Sequence, residues 1–386
     1  MKKFGFKSVA LIFIIILGLF LTNNGGLIQI EKTAIVSAIG IDEENGELVI
    51  TAQVILPQAS DTSENAKAVV SGTGATIGSA IDNIGNDTGW YPKLSFCKII
   101  IVNQAIVDEK ISEVINYLLY STKIYDSVLL CASKQSAKDV LTATSPLDIL
   151  SAYSLEKIFL KNPGKASNVF YTRAKDLAEN MTSLSKSGMM PLIDIDNNDD
   201  IGKVEPTEKP PEESLKDVIF KSYETLLFNE GKISGQLSKT QTQTYNFLYK
   251  DMQESYYSVS YGNTDALLRI NDSKRKVKIT CDNQNIYLSL TLELKATLVE
   301  IKKNEEIILL PTPKILPKEL TDNASLQLKN SIISLFDTMK DTKSDIFFIR
   351  ESLYEKHPVK YKNLSQNYLE RIKFSVNASV SSPDKK

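Results

Sequence analysis

Residues 94–132 read LSFCKIIIVNQAIVDEKISEVINYLLYSTKIYDSVLLCA, and this stretch decides the fold class. The apolar run at 94–102 reads as a strand. Residues 108–120 then carry Ile111, Val114, Ile115, Leu118 and Leu119, the i, i+3, i+4, i+7 spacing of a helix with one apolar face. A second strand follows at 128–132. After it, Ser136-Ala137-Lys138-Asp139 has the S-x-x-D form of a helix start, with the helix running through Leu141. Strands alternating with helices in this way build an α/β layer.

Upstream, 34–42 and 47–56 read as strands joined by Glu44-Asn45-Gly46, and Asn-Gly between β-rich runs is a hairpin signal. Residues 75–83 suggest a helix opening after Gly72-Thr73-Gly74. Downstream, 146–184 reads as mostly helical and 189–195 as a strand. The composition then turns to Asp, Asn, Glu, Lys and Pro across 196–213, with Pro206, Pro210 and Pro211, which is the composition of a linker. Beyond it come a strand at 218–228, a turn at Glu230-Gly231-Lys232 and a helix at 239–250. Strands follow at 256–261, 266–270, 277–281 and 286–301, the last with the strict alternation of a half-buried strand. A helix at 326–340 and a strand at 371–380 close the chain. The expected fold is α/β (α+β) and multi-domain, with mixed β-sheets flanked by helices. Residues 27–195 form one α/β domain or two subdomains, 196–213 the linker, and 214–386 a second α/β domain.

At 386 residues, with 42% hydrophobic and 24% charged, the chain has the composition of a globular body large enough for two or three cores. The 45 Lys and Arg against 47 Asp and Glu leave no cationic excess to displace phosphate counterions, so nucleic acid is not an expected partner. The densest basic run, Lys274, Arg275, Lys276 and Lys278, follows the turn-like Asn271-Asp272-Ser273 and is expected on the solvated part of a hairpin. Cys97, Cys131 and Cys281 form no C-x-x-C. Cys97 and Cys131 lie in strand-like runs and would pair only if those strands were neighbours; free buried thiols are the commoner outcome.

The N-terminus suggests the compartment. Lys2, Lys3 and Lys7 precede an apolar run built from Val9, Leu11, Ile12, Phe13, Ile14, Ile15, Ile16, Leu17, Leu19, Phe20 and Leu21, a basic n-region followed by a hydrophobic segment. About 13 residues span about 20 Å as a helix, short of a roughly 30 Å hydrocarbon core. Residues 1–26 therefore read as a signal peptide or an N-terminal membrane anchor. Leu21-Thr22-Asn23-Asn24 has the outline of a lipobox, but Asn24 stands where the acylated cysteine would be.

The order of these features resembles the Ger(x)C family, the C subunits of bacterial spore nutrient germinant receptors. The likeness begins at Ala34-Ile35-Val36-Ser37-Ala38-Ile39-Gly40-Ile41-Asp42 and ends near Asp345-Ile346-Phe347, Tyr354 and Lys356-His357-Pro358. Gly40, Asp42, Asp345, Ile346, Phe347 and Pro358 are the positions matching the family's motifs. Three departures stand out: Asn24 with Gly26-Leu27-Ile28-Gln29 after it, Phe348 and Arg350 at positions where the family usually has glycine, and Tyr361 or Tyr368 in place of a late tryptophan. The resemblance implies a lipoprotein-like subunit on the outer face of the spore inner membrane. Its implied partners are integral membrane A- and B-type receptor subunits.

Catalytic groups are not nominated, and no cofactor is expected. The single histidine, His357, precedes Pro358 without a G-x-S-x-G elbow or an ordered partner set, and reads as a helix-end residue. Gly72-x-Gly74-x-x-x-Gly78 departs from G-x-G-x-x-G and no Walker lysine follows, so a plain turn with a helix start is expected. Asp194, Asp196, Asn198 and Glu205 track a calcium loop, but Asp199 stands where the loop needs glycine, and an acidic linker is the simpler reading. The leading functional expectation is a non-catalytic, membrane-tethered receptor subunit. The alternative is an exported solute-binding protein that captures a nutrient in an interdomain cleft.

Overall fold

The computed structural model describes residues 11–15, 32–55, 67–120, 124–160, 167–197, 218–250, 252, 254–304, 306–307 and 315–383. Two sheets organise them. The first holds β1 (Thr33–Glu44), β2 (Glu47–Ile55), β3 (Lys67–Gly74), β4 (Tyr91–Lys93), β5 (Ile99–Asn103), β6 (Leu129–Ser133), β7 (Thr172–Arg173), β8 (Ser187–Asn197), β9 (Val218–Asn229) and β10 (Lys232–Leu237). Their order is β10-β9-β8-β6-β5-β1-β2-β3, with β4 beside β1 and β7 beside β6. The centre, β8-β6-β5-β1, is parallel, while β2, β3, β9 and β10 extend it by antiparallel pairing. Parallel neighbours need crossovers and antiparallel ones only hairpins, which is why helices interrupt the chain between β5 and β6 but not between β1 and β2. At the β1–β2 turn, Asn45 and Gly46 have φ of 54° and 83°, the left-handed pair of a type I′ turn whose twist matches its strands.

Successive strand residues face opposite sides, so the central strands feed two cores. Ile39, Ile41, Ile100, Val102 and Leu130 face α1 (Ile77–Thr88), α2 (Gln104–Tyr120) and α5 (Ala174–Thr182). Ala38, Ile99, Ile101, Leu129 and Cys131 face α3 (Ala137–Thr142) and α4 (Ser151–Leu160). The buried Gln53 amide ties the sheet to α3 and α4. Its Nε2 donates to Leu141 O (2.9 Å) and Ser151 Oγ (2.8 Å), and its Oε1 accepts from Ser37 Oγ (3.1 Å) and Ala152 N (3.2 Å).

The second sheet holds β11 (Tyr256–Tyr261), β12 (Thr264–Cys281), β13 (Ile286–Lys303), β14 (Glu306–Ile307) and β15 (Ile372–Ser381), with β15 parallel to β13. Leu288, Leu290, Leu292 and Leu294 point one way from β13. They meet Leu320, Ala324, Leu328, Ile332, Leu335 and Met339 of α7 (Lys318–Thr342) in a core that also takes in α6 (Lys239–Tyr249), α8 (Ile349–Lys356) and α9 (Pro358–Leu364).

Several expectations are corrected. Residues 94–96 form a 3₁₀ turn, closed by Cys97 N donating to Leu94 O at 2.9 Å, and the strand starts only at Ile99. Residues 67–74 form a strand that the sequence did not suggest, and 146–184 splits into α4, β7 and α5. The expected turn at 271–273 is a bulge within one 18-residue strand, since β13 runs alongside and pairs both sides of it. The basic run therefore lies mid-strand. The chain leaves β8 at Asn197 and returns antiparallel in β9 at Val218, so the 196–213 stretch falls within a connection of the first sheet; residues 198–213 lie outside the described residues. The division between the two sheets comes after Leu237, and Met189, Leu227 and Leu237 of the first sheet contribute to the second core.

Gly40 on β1 lies under α3, where a Cβ would meet Ala137 Cβ at 2.9 Å and Ala137 C at 3.2 Å. Gly40→Ala is expected to push α3 off the sheet and lower unfolding stability by about 1–3 kcal/mol. Gly78→Ala on α1, whose new Cβ meets only Tyr117 at 3.6 Å, is expected to gain up to about 1 kcal/mol. Urea midpoints of the two variants read the contrast, and a Gly40→Ala as stable as wild type would contradict the packing.

Candidate functional site

A fully buried carboxylate lies where α7 gives way to α8. Lys343 ends α7 with φ of 54°, and Ser344 and Asp345 follow, both fully buried. Asp345 Oδ1 accepts from Ile349 N at 3.0 Å, and Oδ2 accepts from Arg350 N at 2.9 Å and from Tyr368 Oη at 3.1 Å. The carboxylate thus satisfies the free N–H groups at the start of α8. Burial pushes its pKa up to about 6 against these hydrogen bonds.

The same turn joins the two sheets. Asp345 N donates to Ser187 Oγ (2.8 Å) of β8, and Ser344 Oγ donates to Phe228 O (3.1 Å) of β9 and meets Ser234 Oγ (2.7 Å) of β10. Ser185 N donates to Glu351 Oε1 at 2.8 Å. Ile346 and Phe347 are buried in the second core, with the Phe347 ring 6.2 Å from Tyr249. Phe348 adopts φ of 55°, a left-handed conformation that costs a side-chain-bearing residue about 1–2 kcal/mol and that glycine, which the resemblance implied there, adopts freely. Arg350, inside α8, sets its guanidinium 5.8 Å from the Tyr368 ring centre and donates from Nε to Tyr361 Oη at 3.2 Å. Tyr361 and Tyr368, the two alternatives for the place of a late tryptophan, therefore both belong to this cluster.

Asp42 is a second carboxylate used in the same way. Its Oδ1 accepts from Ala137 N (2.9 Å) and Asn103 Nδ2 (3.0 Å), and its Oδ2 from Lys138 N (3.0 Å), so a strand residue caps the helix that Gly40 lets approach. Pro358 opens α9 directly after His357, which closes α8, as the helix-end reading expects. Gly72 and Gly74 end β3 rather than forming a free turn, and a Cβ on Gly72 would sit 2.5 Å from Ala80 O of α1.

The remaining candidates do not converge. Asp194 and Asp196 lie on β8 in register with β9, not in a loop. Asp194 accepts from Gln135 Nε2 (2.7 Å) and pairs with Lys134 (3.3 Å), while Asp196 pairs with Lys221. Asn198 and Glu205 lie outside the described residues, and among the described residues no three potential metal ligands cluster. Cys97 and Cys131 are buried and free, and burial pushes the Cys97 thiol up to about 12. Leu11, Ile12, Phe13, Ile14 and Ile15 are helical and exposed. Val9, Ile16, Leu17, Leu19, Phe20, Leu21 and Asn24 lie outside the described residues. No helix among the described residues is long and apolar enough to cross a membrane.

Two recesses escaped the sequence reading. A polar one of about 790 Å³ lies between α6, β11 and α7, lined by Lys239, Gln243, Tyr256, Ser258, Gln327 and Asn330 among others. Gln243 Nε2 donates to Tyr256 O (2.9 Å) and Gln327 Nε2 to Ser260 O, so side chains occupy carbonyls along the outer edge of β11. In the sequence these residues look like the solvated faces of two helices. An apolar recess of about 210 Å³ lies between α1 and the sheet, where Ala34, Ala52 and Ala68 on three neighbouring strands leave space beside Ile84, Trp90 and Pro92.

Residues 27–195 match a family model described as the spore germination protein N-terminal domain, and residues 224–382 match one described as spore germination B3/GerAC like, C-terminal. Among solved structures, the crystal structure of the GerBC protein superposes with a TM-score of 0.53 at 16% identity, over 89% of this chain and 96% of that one. At that identity the likeness is one of fold. No curated protein matches the sequence.

Asp345 holds its proton more tightly folded, at about 6, than unfolded, at about 4. Its contribution to stability is therefore present below about pH 4 and lost as pH rises through about 6, by on the order of 2–3 kcal/mol. Asp345→Asn is expected to flatten this dependence, and to destabilise by about 1–3 kcal/mol at pH 5 because an amide cannot accept from both helix N–H groups. Urea denaturation from about pH 4 to 7.5 tests it, and parallel profiles for the two proteins would refute the assignment.

Proposed function

The chain belongs to the spore germination GerAC family, and we propose that it acts there as the non-catalytic, membrane-tethered C-type subunit of a nutrient germinant receptor. In this reading it assembles with integral membrane A- and B-type subunits on the outer face of the spore inner membrane. The observation that carries the proposal is the succession of both family regions along one chain, 27–195 and then 224–382, with the motif residues Asp42 and Asp345 committed to helix capping. Both carboxylates are buried and taken up by backbone N–H groups, so they build a body and present no face to a substrate. The tether is supported by Lys2, Lys3 and Lys7 ahead of the apolar run from Val9 to Leu21. With Asn24 in place of a thiol, attachment rests on that run and not on an acyl group.

Co-purification from detergent-solubilised spores tests the assembly. The protein is expected to elute with the membrane subunits, and recovery only as a free monomer would count decisively against it.

The polar recess favours one second reading, direct capture of a small polar nutrient among Gln243, Tyr256, Gln327 and Asn330. Titration calorimetry of the full chain in detergent with a panel of amino acids and sugars separates the two. A heat that Gln243→Ala abolishes would support capture, and silence across the panel would remove it.

A further inference from the structure

We propose that the end of the first sheet carrying Trp90, Tyr91 and Phe96 lies against the lipid headgroup layer, so that the body rests on the bilayer instead of hanging free from its tether. This deepens the membrane-tethered reading above and rests on it. The argument begins with topology. β1, β5 and β6 are parallel, so their N-terminal ends share one end of the sheet. Thr33, the first residue of β1, pairs with Tyr91 of β4, and Trp90 immediately precedes that strand. Phe96 closes the 3₁₀ turn leading into β5. Tyr125 lies at the same end, because its carbonyl accepts from Val128 N just before β6 begins and Leu129 N donates to Lys98 O.

All four residues are exposed in large part: Trp90 by 46%, Tyr91 by 40%, Phe96 by 51% and Tyr125 by 68%. The apolar recess is lined in part by Thr33, Trp90 and Pro92, so further unfilled apolar surface adjoins the rings. The chain comes to this same end from the apolar run. Only residues 22–32 separate Leu21 from Thr33, which even fully extended reach no more than about 40 Å.

The chemistry favours a lipid interface over open water. Tryptophan and tyrosine present an apolar body with a polar tip, which suits them to the headgroup level of a bilayer. Exposed Lys32 and Lys93 lie among them, with Lys93 Nζ 5.5 Å from the Phe96 ring centre, while Asp87 and Asp126 are exposed nearby. Lys98 and Lys175 at this end are paired with Glu156 (3.2 Å) and Glu179 (3.8 Å), so the rings and not a cationic field supply the attraction, and zwitterionic lipid suffices.

Trp90 is the only tryptophan in the chain, so its fluorescence reports on this place alone. The experiment reconstitutes the full chain into phosphatidylcholine vesicles with and without brominated acyl chains, and follows flotation and Trp90 emission together. The expected result is co-flotation with emission roughly halved by the brominated lipid, and a Phe96→Asp variant that still floats but loses most of that quenching. A protein that floats while Trp90 stays insensitive to bromine and open to aqueous iodide would overturn the docking and leave the tether standing. Emission that responds only after the membrane subunits are added would also overturn it, in favour of a protein cover. Failure to float would overturn the tether and the docking together.

Discussion

A carboxylate sealed from water needs donors fixed in place before it is buried, and at Asp345 those donors set how the chain is put together. Two come from the first turn of α8 and one from Tyr368, which opens the 3₁₀ turn Tyr368–Arg371 leading into β15. The same two-residue turn makes its other hydrogen bonds to β8, β9 and β10. An unpaired buried charge costs several kcal/mol, so α8, the approach to β15 and the edge of the first sheet are held to one arrangement. The two sheets are joined by hydrogen bonds and by a shared core, not by a flexible tether, since Met189, Leu227 and Leu237 pack among the leucines of β13 and α7.

Asp42 repeats the device at smaller scale. A six-residue helix such as α3 has almost no stability of its own, because nucleation is unfavourable and few hydrogen bonds repay it. It persists because Asp42 and Ser136 hold its first N–H groups, Gly40 lets it approach the strand, and Gln53 binds Leu141 O near its end. In both halves of the chain, then, the buried acidic residues position helices.

What the sequence disclosed follows from how local each signal is. The alternation at 286–301 matches β13 almost residue for residue, Asn45-Gly46 is its own turn, and the stripe from Ile111 to Leu118 needs only one helix to be seen. β3 was hidden because Lys-Ala-Val-Val-Ser-Gly-Thr-Gly is weakly apolar, and its glycines serve the close approach of α1. The Asp194, Asp196 spacing is ambiguous in the sequence because alternate residues are both the ligand period of a calcium loop and the period of a strand. Asp42 and Asp345 drew attention through a family likeness, yet their roles depend on partners such as Ser187, 158 residues from Asp345, and no sequence window spans that. The membership of β9 and β10 in the first sheet is non-local in the same sense, and the proline-rich composition at 196–213 pointed the other way.

The two sheets also differ in what they leave uncovered. An edge strand is a template for unwanted pairing unless something occupies its outward groups. On β11 that is done by Gln243 and Gln327, which bind the outer carbonyls at Tyr256 and Ser260 and leave a surface of neutral polar side chains. At the end of the first sheet where β1, β5 and β6 begin, its lower end, Trp90, Tyr91, Phe96 and Tyr125 stay exposed beside an apolar recess that the core leaves unfilled. Surface tolerates scattered apolar residues, but several rings gathered at one end of parallel strands, the end at which the N-terminal segment joins, form a patch that water alone does not account for. Since Asp345 fixes the second sheet to β8–β10, any contact that seats the lower end of the first sheet also sets the height and tilt of β11 and its polar recess.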